Sequence, residues 1–111
     1  MSKYHPSFVR TVTAAAALTS NRFVTYAGAV PAAGASVLGV ANSDAASGED
    51  VPVIVRDTAI VEAGEEIALG AAIETSNTGK ALTKDTGVTV GRALQAATGD
   101  GHKIEVMLLP N

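Results

Sequence analysis

The sequence predicts an all-β fold, a small β-barrel or β-sandwich of short strands with an extended N-terminal arm and little helix. Three observations carry that expectation. β-Branched residues gather in short runs, the longest of them the Val- and Ile-rich stretch 51–70, VPVIVRDTAIVEAGEEIALG. Gly and Pro punctuate the chain so often that after Gly28 no run free of both exceeds eleven residues, 53–63, and each internal Gly costs a helix about 1 kcal/mol, each Pro about 3. The one helix-favouring run, Ala14 to Leu18, is five residues long, well short of the ~12 that an isolated helix needs.

Taken in order, residues 1–10 form the arm and residues 11–111 a single β domain. FVRTVT from Phe8 alternates as a strand, Phe8, Arg10 and Val12 on one side, Val9, Thr11 and Thr13 on the other. Ala14 to Leu18 then serves as a turn or a single helical turn joining two strands. RFVTY, residues 22–26, is the next strand, and residues 36–41 the one after it. Within 51–70 a strand over 51–57 places Val51, Val53 and Val55 on one side. Ile54, Ile60 and Val61 leave little polar surface for the other, so this stretch is expected between covering layers as the centre of the core. Further strands are expected at 59–61, 67–75, 80–83 and 89–95. Ser76-Asn77-Thr78-Gly79 is a tight hairpin signal, with Gly79 free to take positive φ. The last strand, from Lys103 to Leu109, is the clearest: Ile104, Val106 and Leu108 face in, Lys103 and Glu105 face water, and Pro110 stops it.

An internal echo accompanies these strands. Leu38-Gly39-Val40-Ala41 leads through a small-residue loop into 51–55, and Val90-Gly91-Arg92-Ala93 leads through another into 103–108. A second pair, Ala33-Gly34 before Gly39 and Ala63-Gly64 before Gly70, has the same form, so either two similar β motifs pack around a pseudo-symmetric core or Gly-rich β sequence repeats itself by chance.

Size and composition exclude several classes of function. A chain of 111 residues holds one domain and one core. Of its hydrophobic residues 21 are alanine, with two Phe, two Tyr and no Trp, so each buries little area at about 25 cal/mol per Å2, and association would add burial that the domain lacks. The net charge of −3, with Lys and Arg scattered singly, speaks against nucleic acid as a partner. No apolar run is long enough for a transmembrane helix, so no membrane partner is expected. The absence of Cys removes disulfides and thiolate chemistry.

No constellation for catalysis or for a cofactor emerges. The acidic pairs Glu49-Asp50 and Glu65-Glu66 sit in turns, where successive side chains diverge, and no Asp-x-Asp-x-Asp-Gly loop exists for calcium. His5 and His102 lack metal or triad spacing, and no nucleophile elbow, P-loop or dinucleotide fingerprint is present. The chain is therefore expected to be no enzyme, with no metal and no cofactor. Two alternatives are a swinging-arm-like carrier domain, with Lys80 near a hairpin tip, and a free-standing carbohydrate-binding module. Lys80 follows the 76–79 turn instead of occupying its apex, and only Tyr4, Phe8, Phe23 and Tyr26 could stack on sugars.

An ordered set of short motifs points elsewhere. Arg22-Phe23-Val24, Gly39-Val40, Asp44-Ala45-Ala46-x-Gly48-Glu49, Val61-x-Ala63-Gly64-x-x-Ile67-x-x-Gly70, Thr78-Gly79-Lys80-Ala81, Val90-Gly91-Arg92-Ala93-Leu94 and Ile104-Glu105-Val106-x-Leu108 together resemble the bacteriophage capsid cement, or head decoration, proteins. The resemblance spans about residues 11–109. It implies a virion structural protein, made in the host cytoplasm, that binds the outer surface of the expanded head and stabilises it by bridging major capsid protein subunits. By analogy with such proteins a homotrimer is expected, a dimer being the alternative.

The arm is the one physical hint of a contact surface. Tyr4, Pro6, Phe8 and Val9 offer apolar side chains with no evident place in the core, and an extended segment can add a strand to a neighbouring sheet. Lys3, Tyr4, His5, Pro6, Phe8, Val9 and Arg10 are the expected contacts to the major capsid protein or to an adjacent subunit.

Overall fold

Strand alternation is visible directly in the burial of the chain: along KIEVML, Ile104, Val106 and Leu108 are buried while Lys103 and Met107 are exposed. The computed structural model describes residues 9–111. Among them are nine strands and no helix: β1 (Val9–Thr13), β2 (Phe23–Val24), β3 (Gly39–Ala41), β4 (Asp50–Ile54), β5 (Thr58–Glu62), β6 (Ala72–Thr75), β7 (Ala81–Thr83), β8 (Gly91–Ala93) and β9 (Lys103–Leu108). They form two open antiparallel sheets, ordered β1-β4-β3-β2 and β5-β9-β8-β6-β7, so the fold is all-β without barrel closure.

The two sheets repeat one another. β1 meets β4 with Val9 opposite Ile54 and Thr13 opposite Asp50; β5 meets β9 with Thr58 opposite Met107 and Glu62 opposite Lys103. Phe23 lies opposite Val40 and Val24 opposite Gly39, as Ala72 lies opposite Arg92 and Ile73 opposite Gly91. The loops correspond as well. Gly48 N donates to Ala14 O and Gly101 N to Ala63 O, both at 2.8 Å, and Leu18 pairs with Ala45 as Ile67 pairs with Ala97. Asn21 and Gly70 occupy the same left-handed position, at φ 65 and 84. Gly39 and Gly91 share a close approach: a Cβ would stand 2.0 Å from Ile54 O in one case and 2.6 Å from Met107 O in the other. The echo of 38–55 and 90–108 is therefore half of a larger repeat, residues 9–55 against residues 58–109, whereas the second pair is no part of it, because Ala63 corresponds to Ala14 and Gly39 to Gly91.

Packing follows the repeat and then departs from it. In the first half Ala14, Leu18, Val24, Ala41, Ala45, Val51 and Val53 make one buried cluster. Their counterparts Ala63, Ile67, Ile73, Ala93, Ala97, Ile104 and Val106 are buried together in the second half. The second cluster also takes in Phe23 and Val40, with Ile54 packed against it, a cross-strand triple from the opposite face of the first sheet. The back of the first sheet thus covers the second half, a head-to-tail stacking of two like units.

Two expectations about the strands change. The stretch 51–70 is not one central layer. Asp57, at φ 73, turns the chain between β4 and β5, which belong to different sheets, and Ile60 on the edge strand β5 is 44% exposed. The expected strand 67–75 is broken by a turn at Gly70, φ 84, which leaves Ile67 in an isolated bridge and starts the strand at Ala72. Val9 and Arg10, at the end of the expected arm and within the strand expected from Phe8, are the first described residues of β1 and pair with Ile54 and Val53.

Candidate functional site

Polar side chains cluster first along the junction of the halves. Arg22 Nε donates to Glu62 Oε1 at 3.0 Å, and Lys80 Nζ lies 3.6 Å from Glu62 Oε2 and 2.9 Å from Asp100 Oδ1. The hydrogen bond to Asp100 raises the pKa of Lys80 and lowers that of Asp100. Lys80 is held in an ion-pair chain behind the 76–79 turn, a position suited to structure. His102 Nδ1 accepts from Thr98 N at 3.0 Å and so ties its own loop. Among the described residues no group of three or more His, Asp or Glu side chains converges as a metal would require.

A second arrangement lies at the far end of the first half. Arg10 from β1, Leu38, Val55 and Arg56 from the ends of β3 and β4, Tyr26 from the turn after β2, and the C-terminal residues 108–111 line a groove of about 300 Å3. Asn111 fixes one wall: its Oδ1 accepts from Val37 N at 2.7 Å, and its backbone O accepts from Tyr26 Oη at 3.1 Å. The floor is apolar and half-buried, while Arg10 and Arg56 are exposed at the rim. Among the described residues neither guanidinium lies within ion-pair distance of a carboxylate.

Of the expected contact residues, Lys3, Tyr4, His5, Pro6 and Phe8 lie outside the described residues. Val9 and Arg10 are exposed on β1, an edge strand of its sheet, and Arg10 enters the groove. Of the aromatics, Phe23 is buried in the core and Tyr26 is 60% exposed at the groove. Leu38, Val55, Arg56 and the C-terminus escaped sequence reasoning because three separated segments supply them. The one available signal was the echo, which pairs Leu38 with Val90 and 51–55 with 103–108.

A family model described as phage cement protein matches residues 2–108. Among solved structures, the N base of the head fiber gp8.5 of bacteriophage phi29 superposes with a TM-score of 0.77 at 21% identity, over 91% of this chain and 92% of that one. No curated protein matches.

Proposed function

The chain belongs to the phage cement protein family, and from that premise we propose that it decorates the outer surface of the expanded head and stabilises it by bridging major capsid protein subunits. That it is a phage capsid-associated structural protein follows from the family match over nearly the whole chain, the observation that carries this reading. Cement is a structural role, and the ion pairs described above serve the fold and assemble no nucleophile with a base. The likeness to the head fiber base extends to the fold.

Bridging has a physical logic. A small domain touching several capsid subunits gains effective concentration for each contact after the first, so weak interfaces suffice. Binding the assembled head and not its dissociated subunits stabilises the head by linkage. A homotrimer, with a dimer as the alternative, would multiply those contacts. Residues 3–10 are proposed to reach the major capsid protein or a neighbouring subunit, which the position of Arg10 on an exposed edge strand supports.

The test is binding of the purified full chain to expanded empty heads, read by co-sedimentation and by the temperature at which the heads disrupt. Saturable binding with a rise in that temperature is expected, and deletion of residues 1–7 should lower occupancy without unfolding the domain. A full chain that ignores expanded heads ends the proposal.

A further inference from the structure

The groove between Arg10 and Arg56, open among the described residues, is the counterpart of a site that the fold itself fills elsewhere. Arg10 lies opposite Val53 as Ala59 lies opposite Val106, so Arg10 and Ala59 correspond. Leu38 N donates to Val24 O as Val90 N donates to Ile73 O, so Leu38 corresponds to Val90. Val55, next after Ile54, corresponds to Leu108, next after Met107. In the second half Ala59, Val90 and Leu108 are buried in one cluster with Phe23, Val37 and Val40, contributed by the first half. In the first half the same three positions are Arg10, Leu38 and Val55, and they line an open groove.

The edge beside the groove shows the same contrast. β5 is covered on its outer edge: Glu62 N donates to Asn21 O at 2.7 Å, and Asn21 Nδ2 donates to Ile60 O at 3.1 Å. The counterpart of Ile60 is Thr11, whose carbonyl has no partner among the described residues. Ala14 N donates to Glu49 O, so alternate residues of β1 turn their backbone groups to β4, and Thr11 turns its own outward.

We propose that this groove and the outer edge of β1 receive an extended acidic segment of the major capsid protein, which adds a strand to β1 and sets carboxylates on Arg10 and Arg56. The inference rests on the capsid-binding reading above and specifies its surface. The chemistry of the partner follows from that of the groove. Leu38 and Val55 supply a half-buried apolar floor. Two of the four Arg side chains of a chain with net charge −3 stand at its rim without a carboxylate partner among the described residues, and guanidinium pairs with carboxylate in a planar, bidentate geometry. A second copy is disfavoured as occupant. Stacked in the manner of the two halves, it would bring Arg92, the counterpart of Val40, toward Arg10, the counterpart of Ala59, and like charges oppose each other there.

The experiment compares the full chain, R10E/R56E and the charge-matched control R92E/K103E for affinity to expanded empty heads. Separately, Thr11→Cys, the sole thiol in an otherwise Cys-free chain, is alkylated with and without heads. The expected result is a loss of about a hundredfold for R10E/R56E, at most about threefold for the control, and protection of the Thr11 thiol on heads. Equal losses in both double variants would trace the effect to net charge and overturn the groove. So would undiminished binding by R10E/R56E while the unaltered chain binds, which leaves the capsid reading standing. If the unaltered chain does not bind heads, both fall. If R10E/R56E changes the oligomeric state and not head affinity, the occupant is a second copy. If the thiol is shielded in the free full chain and exposed by deletion of residues 1–7, the occupant is the N-terminal segment of the chain itself. Either result overturns the proposal.

Discussion

Residues 9–55 and residues 58–109 build the same four-strand frame, yet among the described residues the second half has its front face covered and the first leaves part of its own open. Few differences separate them. Arg10 replaces Ala59 on the edge strand and makes a buried apolar position a wetted, cationic one. Glu74 and Thr75 lengthen the second unit ahead of its turn. The turns themselves match: Thr25 N donates to Ala29 O, with Gly28 N returning to Thr25 O, as Ser76 N donates to Lys80 O, with Gly79 N returning to Ser76 O. After the turn the second unit continues as β7, pairing Leu82 with Glu74. At the corresponding place the first has Pro31, which has no N–H to donate, and no fifth strand forms. A duplicated frame is thus specialised by a handful of positions, one unit serving as the packed base and the other presenting an open edge.

The contact that couples the halves is the place to break them apart. Phe23 is 1% exposed and packs from the first sheet into the cluster of the second half, whereas its counterpart Ala72 is half-buried. Phe23→Ala is expected to cost about 3–5 kcal/mol, a large share of the stability of a domain this size. Denaturant titration measures the loss, and hydrogen exchange should show amides of β2 and β3 opening before those of β8 and β9. A loss below about 1 kcal/mol would mean that the halves are held together by something other than this side chain.

A smaller effect tests whether the halves are equally strict. Gly39 and Gly91 correspond, and each faces a carbonyl across the sheet, Ile54 O and Met107 O, with the former nearer to where a Cβ would stand. Alanine at either position must push the strands apart, at a cost of about 2 kcal/mol or more, with Gly39→Ala the worse because its obstacle is nearer. Gly99→Ala meets nothing within 4 Å and should be close to neutral. Thermal melts of the three variants rank them. The reverse order for Gly39 and Gly91 would show that the first sheet, with its open edge, yields more easily than the second.

How much of this was legible in the sequence depends on the kind of signal. β9 was plain because period-two alternation survives when one face is buried and the other wet. The partial echo was legible where Gly is obligatory on both sides, at Gly39 and Gly91. It faded in the strands before them, where Asn21 fills the left-handed position that Gly70 fills later and Arg10 stands where Ala59 stands. The turn at Asp57 was hidden because a non-Gly residue adopts φ 73 there, so an apolar run divided between two sheets looked like one buried layer. The groove was out of reach for a different reason. Its floor is shared by segments far apart in the chain, and only the stacking of one unit on the other shows which of two equivalent faces stays open.

The smallest expected effect concerns the inserted Glu74, which has no counterpart in the first half. Its Oε1 accepts from Asp85 N at 2.9 Å and from Gly87 N at 2.8 Å, which draws that loop against the first half, where Val88 N donates to Gly34 O at 2.9 Å. These two backbone donors, helped by Lys84, hold the pKa of the carboxyl below its ordinary 4.5. The folded protein therefore binds this proton less readily than the unfolded chain. The stability that the charged form lends is complete above the ordinary value and is lost as pH falls through the depressed folded one. Glu74→Gln keeps an acceptor and removes the titration. The variant should melt below the unaltered protein at about pH 7 by a constant margin that persists to about pH 5.5, then narrows toward about pH 3 as the native carboxyl is protonated. A margin unchanged across that range would mean that the charge of Glu74 contributes nothing to holding the loop of the second half against Gly34, and that the coupling of the halves there rests on the backbone contacts alone.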